Sequence, residues 1–99
     1  MTFDAIYAKD VRKVQREKHA VLIDMRDSIE YQRGHLPGAI NYPVDDEDAF
    51  EKAWNKNRYY IVYCERGGSS MRLARALGRK GYHIATVIGG YQAVEQRQY

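Results

Sequence analysis

Apolar and polar positions alternate in blocks along the chain, and the blocks predict strands and helices in turn. Strands are indicated by short apolar runs, namely "AVLIDM", "RYYIVYC" and "HIATVIGG", with a brief extended piece at "GAINYP". The polar segments between them carry apolar residues at helical spacing and predict helices at "AKDVRKVQREKH", "RDSIEYQRGH", "DAFEKAWNK", "SSMRLARALGRKG" and "YQAVEQRQ". Strands that alternate with helices in so short a chain predict an α/β fold, with a parallel sheet covered by helices on both faces.

Capping residues set the predicted helix ends. Asp27 and Ser28 are candidate N-caps for the helix that stops at Gly34. A serine cap is predicted for "SSMRLARALGRKG", with Leu73 and Leu77 facing inward and glycines ending the helix.

Length and composition narrow the class of protein. The 99 residues suit one compact domain spanning residues 1–99. A composition of 44% hydrophobic and 29% charged residues is ordinary for a globular chain. The longest apolar-aromatic run, "YYIVYC", is far shorter than the roughly 20 residues of a membrane span, so no membrane partner is expected. One cysteine cannot form an internal disulfide, which favours a reducing compartment and a cytoplasmic location.

Charge is distributed unevenly along the chain. A net charge of +3 is too mild to predict a nucleic-acid partner. From Cys64 to the end there are six basic residues against two acids, whereas five of the seven residues in Asp45 to Glu51 are acidic. The half that carries the thiol is therefore expected to be electropositive and to suit a small anion, although such charge runs are most often solvated helix faces.

The candidate chemistry lies in "YCERGGSSMRLARAL", residues 63–77. Cys64 is expected at the carboxyl end of the most apolar strand, where parallel sheets place their ligand crevice. Gly67 and Gly68 can adopt positive φ, so that successive amides turn inward around one point, and a helix that begins near Ser69 or Ser70 aims its free amides at the same point. A thiolate would be stabilised there.

The size of the pKa shift determines how much stabilisation of the thiolate the loop has to supply. A free thiol, with a pKa of about 8.5, is only a few per cent ionised at neutral pH. Lowering the pKa by two units takes about 2.7 kcal/mol, and a helix terminus supplies only about 0.3–1 kcal/mol. The loop amides, with Arg66 or Arg72, would have to supply the rest. The competing interpretation is an inert cysteine buried in an apolar strand, with Arg72, Arg75 and Arg79 as an exposed helical stripe.

Four stretches carry a resemblance to a known family. They are "VLIDMRDSIEYQRGHLPGAINYP", "YYIVYCERGGSS", "RLARALGRKGY" and "VIGGYQAV". With these stretches the chain resembles a single-domain rhodanese, a member of the rhodanese-like sulfurtransferase family. The resemblance spans nearly the whole chain and implies a central, largely parallel five-stranded sheet with helices on both faces.

The resemblance also implies roles for particular residues. Cys64 is implied to be the nucleophile that cycles between thiol and persulfide. The amides from Glu65 to Ser69 are implied to form its cradle, and Asp24 and Arg26 match a strand-end pair that supports the site. The remaining candidates are Arg66, Gly67, Gly68, Ser69 and Ser70 for substrate binding, and Arg72 and His35 for support, His35 mainly as an anchor of its turn; His19 and His83 are expected to have no role.

The implied partners are a small anionic sulfur donor such as thiosulfate and an acceptor that is cyanide, a low-molecular-weight thiol or a protein. No cofactor is implied, and no metal is expected because one cysteine and three scattered histidines offer no ligand spacing. The acidic segment Asp45 to Glu51 is a candidate docking face for an acceptor protein.

Two other functions stay open at this point. A phosphatase or arsenate reductase of the same fold would carry an arginine six positions after the cysteine, as a bidentate clamp on the transferring group. Here the sixth position is Ser70, Arg66 and Arg72 fall elsewhere, and Tyr63 replaces the histidine that precedes the cysteine in those enzymes. A non-catalytic rhodanese-like module, or a sensor whose thiol is oxidised, is the alternative from a different class.

Overall fold

A computed structural model describes residues 2–95, and within them five strands form one sheet. All neighbouring strands are parallel, in the order β1-β5-β4-β2-β3. The strands are β1 (Asp4–Ile6), β2 (Val21–Asp24), β3 (Ile40–Asn41), β4 (Tyr59–Tyr63) and β5 (His83–Val87). The predicted α/β class and five-stranded sheet are confirmed.

Helices follow the strands in the predicted alternation. A short 3-10 helix (Ala8–Asp10) leads into α1 (Val11–Lys18), and it is followed by α2 (Ser28–Arg33), α3 (Glu47–Ala53), α4 (Gly68–Arg79) and α5 (Gly90–Glu95). The last predicted helix extends to residue 98, and its final three positions lie outside the described residues. No helix within residues 2–95 has the length and apolar content needed to cross a bilayer.

The central strand β4 is buried on both faces, which is why its sequence is a continuous apolar run. Side chains of a strand point alternately to its two faces. Tyr60 and Val62 therefore pack in the hydrophobic cluster of α3 and α4, and Ile61 and Tyr63 pack in the cluster of α1 and α5. Cys64 continues the first set, so its sulfur lies on the α4 side of the sheet.

Each cluster is held by a few large side chains. On the α3–α4 side, Phe50 is fully buried with its ring centroid 5.5 Å from that of Tyr60 and 5.7 Å from that of Tyr82. Leu73 and Leu77 of α4 are buried there, as predicted. The opposite cluster is centred on α1, on the segment after α2 and on α5, through Val11, Leu36 and Val94.

The structure differs from the sequence predictions at several boundaries. Strand β1 has only three residues and no apolar alternation, so its pattern does not reveal it. Strand β5 ends at Val87, and the glycines after it form a turn into α5. Helix α4 has no serine cap, because it begins at Gly68 with Gly67 as its N-cap and the serines already lie in its first turn. The Asp27 cap is confirmed, since its carboxylate accepts a hydrogen bond from the Glu30 amide at 2.9 Å.

Candidate active site

A cleft of about 700 Å³ opens at the carboxyl ends of β2 and β4. The chain leaves β2 toward α2 on one face of the sheet and leaves β4 toward α4 on the other face. Such a divergence between neighbouring parallel strands creates a crevice where ligands bind. Met25, Arg26 and Asp27 line it from the β2 side, and Cys64 and the loop that follows it line it from the β4 side.

The sulfur of Cys64 is surrounded by hydrogen-bond donors. The Gly67 amide donates to Sγ at 3.2 Å and the Ser70 amide donates at 3.4 Å. The Ser70 hydroxyl lies 3.5 Å from Sγ. The first turn of α4 supplies part of this set, so the positive end of the helix dipole also faces the sulfur. The arrangement is one that stabilises a thiolate.

The pKa of Cys64 reflects two opposed effects. Burial, the larger single effect, raises the pKa of the thiol because it penalises the charged form. Hydrogen bonds from the Ser70 hydroxyl and from the amides of Ser70, Gly67 and Ser69 lower it, and together they prevail. The pKa of Cys64 is therefore below its ordinary value, and the thiolate fraction at neutral pH is increased.

The first turn of α5 holds the cysteine loop in place from behind. The amide of Tyr91 donates to the Cys64 carbonyl at 2.8 Å, and that of Gln92 donates to the Glu65 carbonyl at 3.1 Å. Gly90 has φ of +64°, and a Cβ on it would lie 2.5 Å from the Cys64 carbonyl oxygen. Only glycine allows this approach. With these carbonyls bonded to α5, the following amides are left to face the sulfur.

Of the two glycines predicted to turn the loop, only Gly67 has a positive φ, at +101°. A Cβ on Gly67 would also lie 3.2 Å from the Gly89 amide nitrogen. Gly68 is the first residue of α4, and a Cβ there would meet no atom within 4 Å. Gly68 does not use its freedom to adopt a positive φ, because the chain has already entered the helix at that position.

Asp24 and Arg26 form a buried pair at the base of the cleft. The Arg26 Nη2 donates to Asp24 Oδ2 at 2.8 Å, and the Arg26 backbone amide donates to Oδ1 at 2.8 Å. The same guanidinium donates to the Gly34 carbonyl at 2.6 Å, contacts Glu65 at 3.4 Å, and stacks 3.9 Å from the Tyr91 ring centroid. Burial alone would lower the pKa of Arg26, but Asp24 raises it above its ordinary value. The pair therefore joins the end of β2 to the cysteine loop and to α5.

Charges of both signs surround the mouth of the cleft. Arg66 and Arg72 line it, and both are exposed. Four acids also line it, from α2, from the segment before α3 and from the cysteine loop: Asp27, Glu30, Asp45 and Glu65. The half of the chain that carries the thiol is basic, but the cleft itself is mixed in charge, because the fold brings acids from the first half of the chain to the thiol.

The remaining candidates lie outside the cleft. His35 stacks on the Tyr31 ring at 3.7 Å between centroids, and its Nδ1 lies 2.7 Å from the Tyr31 carbonyl oxygen, so it contacts the turn after α2. His19 and His83 are exposed. The helical stripe of Arg72, Arg75 and Arg79 is exposed as predicted, but only Arg72 reaches the cleft.

The acidic segment Asp45 to Glu51 is partly engaged within the chain. Lys80 at the end of α4 contacts Glu51 at 2.6 Å and Glu47 at 2.9 Å. The carboxylate of Asp46 caps α3 by accepting from the Ala49 amide at 3.0 Å. A docking role for this segment stays a prediction.

Sequence reasoning does not single out two residues that shape the site. Thr86 of β5 lies 2.7 Å from the Ser70 hydroxyl, and Gly90 lies directly against the backbone carbonyls of Cys64 and Glu65. A polar residue inside the otherwise apolar strand "HIATV" and the glycine pair after it were the available signals. Neither signal reveals its partner, because both contacts join segments far apart in the chain.

The family model of the rhodanese-like domain matches residues 7–97. The chain belongs to the rhodanese-like domain family. Its fold is similar to that of a rhodanese-related protein from Thermoplasma volcanium, with a TM-score of 0.84 and 25% identity over 97% of this chain and 94% of the other. A rhodanese-like domain protein from Staphylococcus aureus gives a TM-score of 0.77 and 26% identity over 92% and 90% of the two chains.

A further relative of this chain is named as an enzyme. The chain is 40% identical over 68 residues to a tRNA sulfurtransferase from Pyrobaculum aerophilum. The match covers 66% of this chain but only 14% of that relative. The chain thus corresponds to one small part of the larger protein.

Proposed function

We propose that this rhodanese-like chain is a sulfurtransferase that carries sulfane sulfur on Cys64. In the first step the thiolate attacks the outer sulfur of a small anionic donor such as thiosulfate. A new S–S bond forms at Cys64, the S–S bond of the donor breaks, and sulfite leaves with the bonding pair. The product is an anionic persulfide, so the total charge is unchanged.

In the second step a thiophilic acceptor removes the terminal sulfur. Cyanide, a low-molecular-weight thiol or a cysteine of an acceptor protein attacks the outer sulfur, and the Cys64 thiolate leaves with the electrons of the S–S bond. With cyanide the product is thiocyanate. The cycle is two-step covalent catalysis and is expected to show ping-pong kinetics.

The observation that carries this proposal is the set of donors around the Cys64 sulfur in an open cleft. Two amides and one hydroxyl lie within hydrogen-bond distance of the sulfur, and together with the Ser69 amide they lower the pKa of the thiol. Within residues 2–95, the amides of Arg66 and Gly68 donate to no acceptor. They are available for the outer sulfur of a persulfide or for the oxygens of a departing sulfite. Preorganised donors of this kind stabilise developing negative charge at low reorganisation cost.

The same geometry disfavours phosphoryl transfer. Ser70 occupies the sixth position after the cysteine, and its amide and hydroxyl contact the sulfur. A bidentate arginine clamp would have to come from that position. Arg66 and Arg72 line the cleft from the exposed rim. A non-catalytic module of the same family is the remaining alternative, and turnover distinguishes it from an enzyme.

Intact-mass spectrometry of the reduced protein, before and after thiosulfate, tests the proposal. We expect a gain of about 32 Da in the native chain and none in Cys64→Ala, because the persulfide needs the thiol. Oxidation to a sulfinic acid gives nearly the same gain, so each sample is then treated with cyanide. A persulfide returns to the starting mass and releases thiocyanate, whereas a sulfinic acid persists.

The outcomes separate the candidate functions. A gain from another sulfane donor, such as a persulfidated protein, would keep the chemistry and change the donor. A cyanide-resistant gain, or no gain from any donor, would refute sulfur transfer and favour a redox-sensing or binding module.

A further inference from the structure

Thr86 is a polar side chain in the apolar interior, directly beneath the cysteine loop. It is fully buried on β5, where it pairs in register with Val62 of β4, two residues before Cys64. Its Oγ1 lies 2.7 Å from the Oγ of Ser70, which is itself fully buried. The Ser70 hydroxyl in turn lies 3.5 Å from the Cys64 sulfur. Three side chains, from the residue that follows β4, from α4 and from β5, thus form a continuous chain of contacts.

The available hydrogen-bond partners determine which of the Thr86 and Ser70 hydroxyls donates to the other. Within residues 2–95 the Thr86 hydroxyl has one partner, Ser70 Oγ. If Ser70 donated its proton to Thr86, the Thr86 proton would be buried without an acceptor, which is strongly unfavourable. Thr86 therefore donates, and Ser70 accepts.

The Ser70 proton then has two remaining acceptors. One is the Cys64 sulfur, and the other is the Gly67 carbonyl oxygen at 3.3 Å. That carbonyl already accepts the Met71 amide at 3.1 Å. When the sulfur is ionised it is the stronger acceptor, because hydrogen bonds to a charged group are the stronger ones. When the sulfur is protonated, its S–H can donate to Ser70 Oγ while Ser70 donates to Gly67.

We propose that Thr86 is a positioning residue for Cys64. By donating a hydrogen bond to the Ser70 hydroxyl, it orients that hydroxyl so that Ser70 donates its proton to the sulfur whenever the sulfur is negatively charged. Its importance for sulfur transfer rests on the function proposed above. In that cycle the thiolate is the nucleophile of the first step and the leaving group of the second. The same pair of hydroxyls serves both steps.

Other charges near the sulfur are left unchanged by a substitution at Thr86. Asp27 and Glu30 face the cleft from the N-cap and first turn of α2, Asp45 from the segment before α3, and Arg66 and Arg72 from the loop and α4. Glu65 and Arg26 also line the cleft and contact each other. None of them contacts Thr86 or Ser70 within the described part of the chain. If Thr86 is replaced by a side chain of equal shape, a change in Cys64 reactivity can therefore be attributed to loss of the Thr86 hydroxyl.

The test is the rate of Cys64 alkylation by iodoacetamide across a range of pH, followed by intact mass. In Thr86→Val, which keeps the shape and removes the hydroxyl, we expect the midpoint pH to rise and the rate at neutral pH to fall about three- to tenfold. Thr86→Ser should restore both. In a Ser70→Ala background, Thr86→Val should have no further effect, because its effect passes through Ser70.

Ile84→Val is the matched control. Ile84 lies two residues before Thr86 on the same face of β5 and is buried, so losing a methyl group there disturbs packing without touching a hydroxyl. Its alkylation profile should match that of the native chain. If Thr86→Val does not fold, as judged by its unfolding transition, Thr86→Ala takes its place.

The inference would be overturned by a Thr86→Val profile equal to the native one, by failure of Thr86→Ser to restore it, or by an equal effect with and without Ser70. Alkylation needs no sulfur donor. A chain that alkylates as expected but forms no persulfide would refute the proposed function and leave the role of Thr86 intact. A chain that forms the persulfide but shows no effect of Thr86 would support the proposed function and refute the role of Thr86.

Discussion

At the scale of single residues, the reactivity of Cys64 results from competition between burial and hydrogen bonding. A helix terminus alone supplies too little to lower a thiol pKa substantially. The structure adds the amides of Gly67, Ser69 and Ser70 and the Ser70 hydroxyl. Arg66 and Arg72 were expected to contribute, but neither is among the groups with the largest effects on this pKa. Directed hydrogen bonds inside the loop therefore matter more for the thiolate than the exposed cations on the rim.

The lowered pKa of Cys64 predicts a pH-dependent contribution to stability. Because the thiol ionises at lower pH in the folded chain than in the unfolded one, the unfolded state binds more protons between the two pKa values. The stabilisation is fully present above the unfolded value of about 8.5 and is lost as the pH falls through the folded pKa. The difference in unfolding free energy between the native chain and Cys64→Ala should therefore grow as the pH rises through that window. Urea unfolding under reducing conditions at a series of pH values measures it, and a constant or shrinking difference would contradict it.

At the scale of secondary-structure elements, the site depends on how α5 is joined to the cysteine loop. Two amides of α5 bind the carbonyls of Cys64 and Glu65, and Gly90 permits the close approach. The loop is held between this turn and the first turn of α4. The turn after β5 is thus part of the site although none of its residues lines the cleft.

Gly90→Ala should lower both the stability of the chain and the reactivity of Cys64. The new Cβ would lie 2.5 Å from the Cys64 carbonyl oxygen and 2.6 Å from that of Glu65, at a φ of +64°. We expect a loss of about 3 kcal/mol of unfolding free energy, from backbone strain and overpacking together. We also expect slower alkylation of Cys64, because the loop must shift.

Gly81→Ala is the matched control for Gly90→Ala. Gly81 also has a positive φ, +94°, but a Cβ there would meet no atom within 4 Å. It should cost only about 1–2 kcal/mol and leave the alkylation rate of Cys64 unchanged. Equal effects of the two substitutions on Cys64 would show that α5 does not support the loop.

At the scale of the whole molecule, folding redistributes charge around the thiol. Along the chain the acids and the thiol lie in different halves, but in space Asp27, Glu30 and Asp45 face the cleft together with Arg66 and Arg72. An anionic donor of the kind proposed above would therefore meet charges of both signs. Their effects are modest because solvent and salt screen exposed charges.

Opposite effects on the rate of persulfide formation are expected from neutralising an acidic and a basic side chain at the rim of the cleft. Asp45→Asn should speed persulfide formation from thiosulfate, and Arg72→Gln should slow it, each by about two- to fivefold at low ionic strength and less at high salt. Arg79→Gln is the control, since Arg79 lies on the same exposed stripe of α4 but outside the cleft. Rates come from mass spectra of quenched samples. A change of the same sign for Asp45→Asn and Arg72→Gln would show that rim charge does not guide the donor.

Much of the fold was determined by the sequence itself, through signals that act locally. The apolar run of β4 predicted a strand buried on both faces, the Asp27 cap predicted the start of α2, and Leu73 and Leu77 predicted the inward face of α4. The position of Cys64 between that strand and a glycine turn also predicted a cleft at the carboxyl end of β4. Alternation, capping and helical spacing depend on residues a few positions apart, so they are visible in the sequence.

Contacts between distant segments were decided by the tertiary structure alone. Strand β1 exists because Asp4–Ile6 pairs with residues 85–87, about 80 positions away, and not because of its own pattern. The register of β4 against β5 brings Thr86 beneath Ser70, the turn after β5 brings Gly90 against Cys64, and the segment before α3 brings Asp45 to the cleft. Parallel strands are joined by long crossovers, so their register and the packing of the helices set these contacts. No local property of the residues involved encodes them.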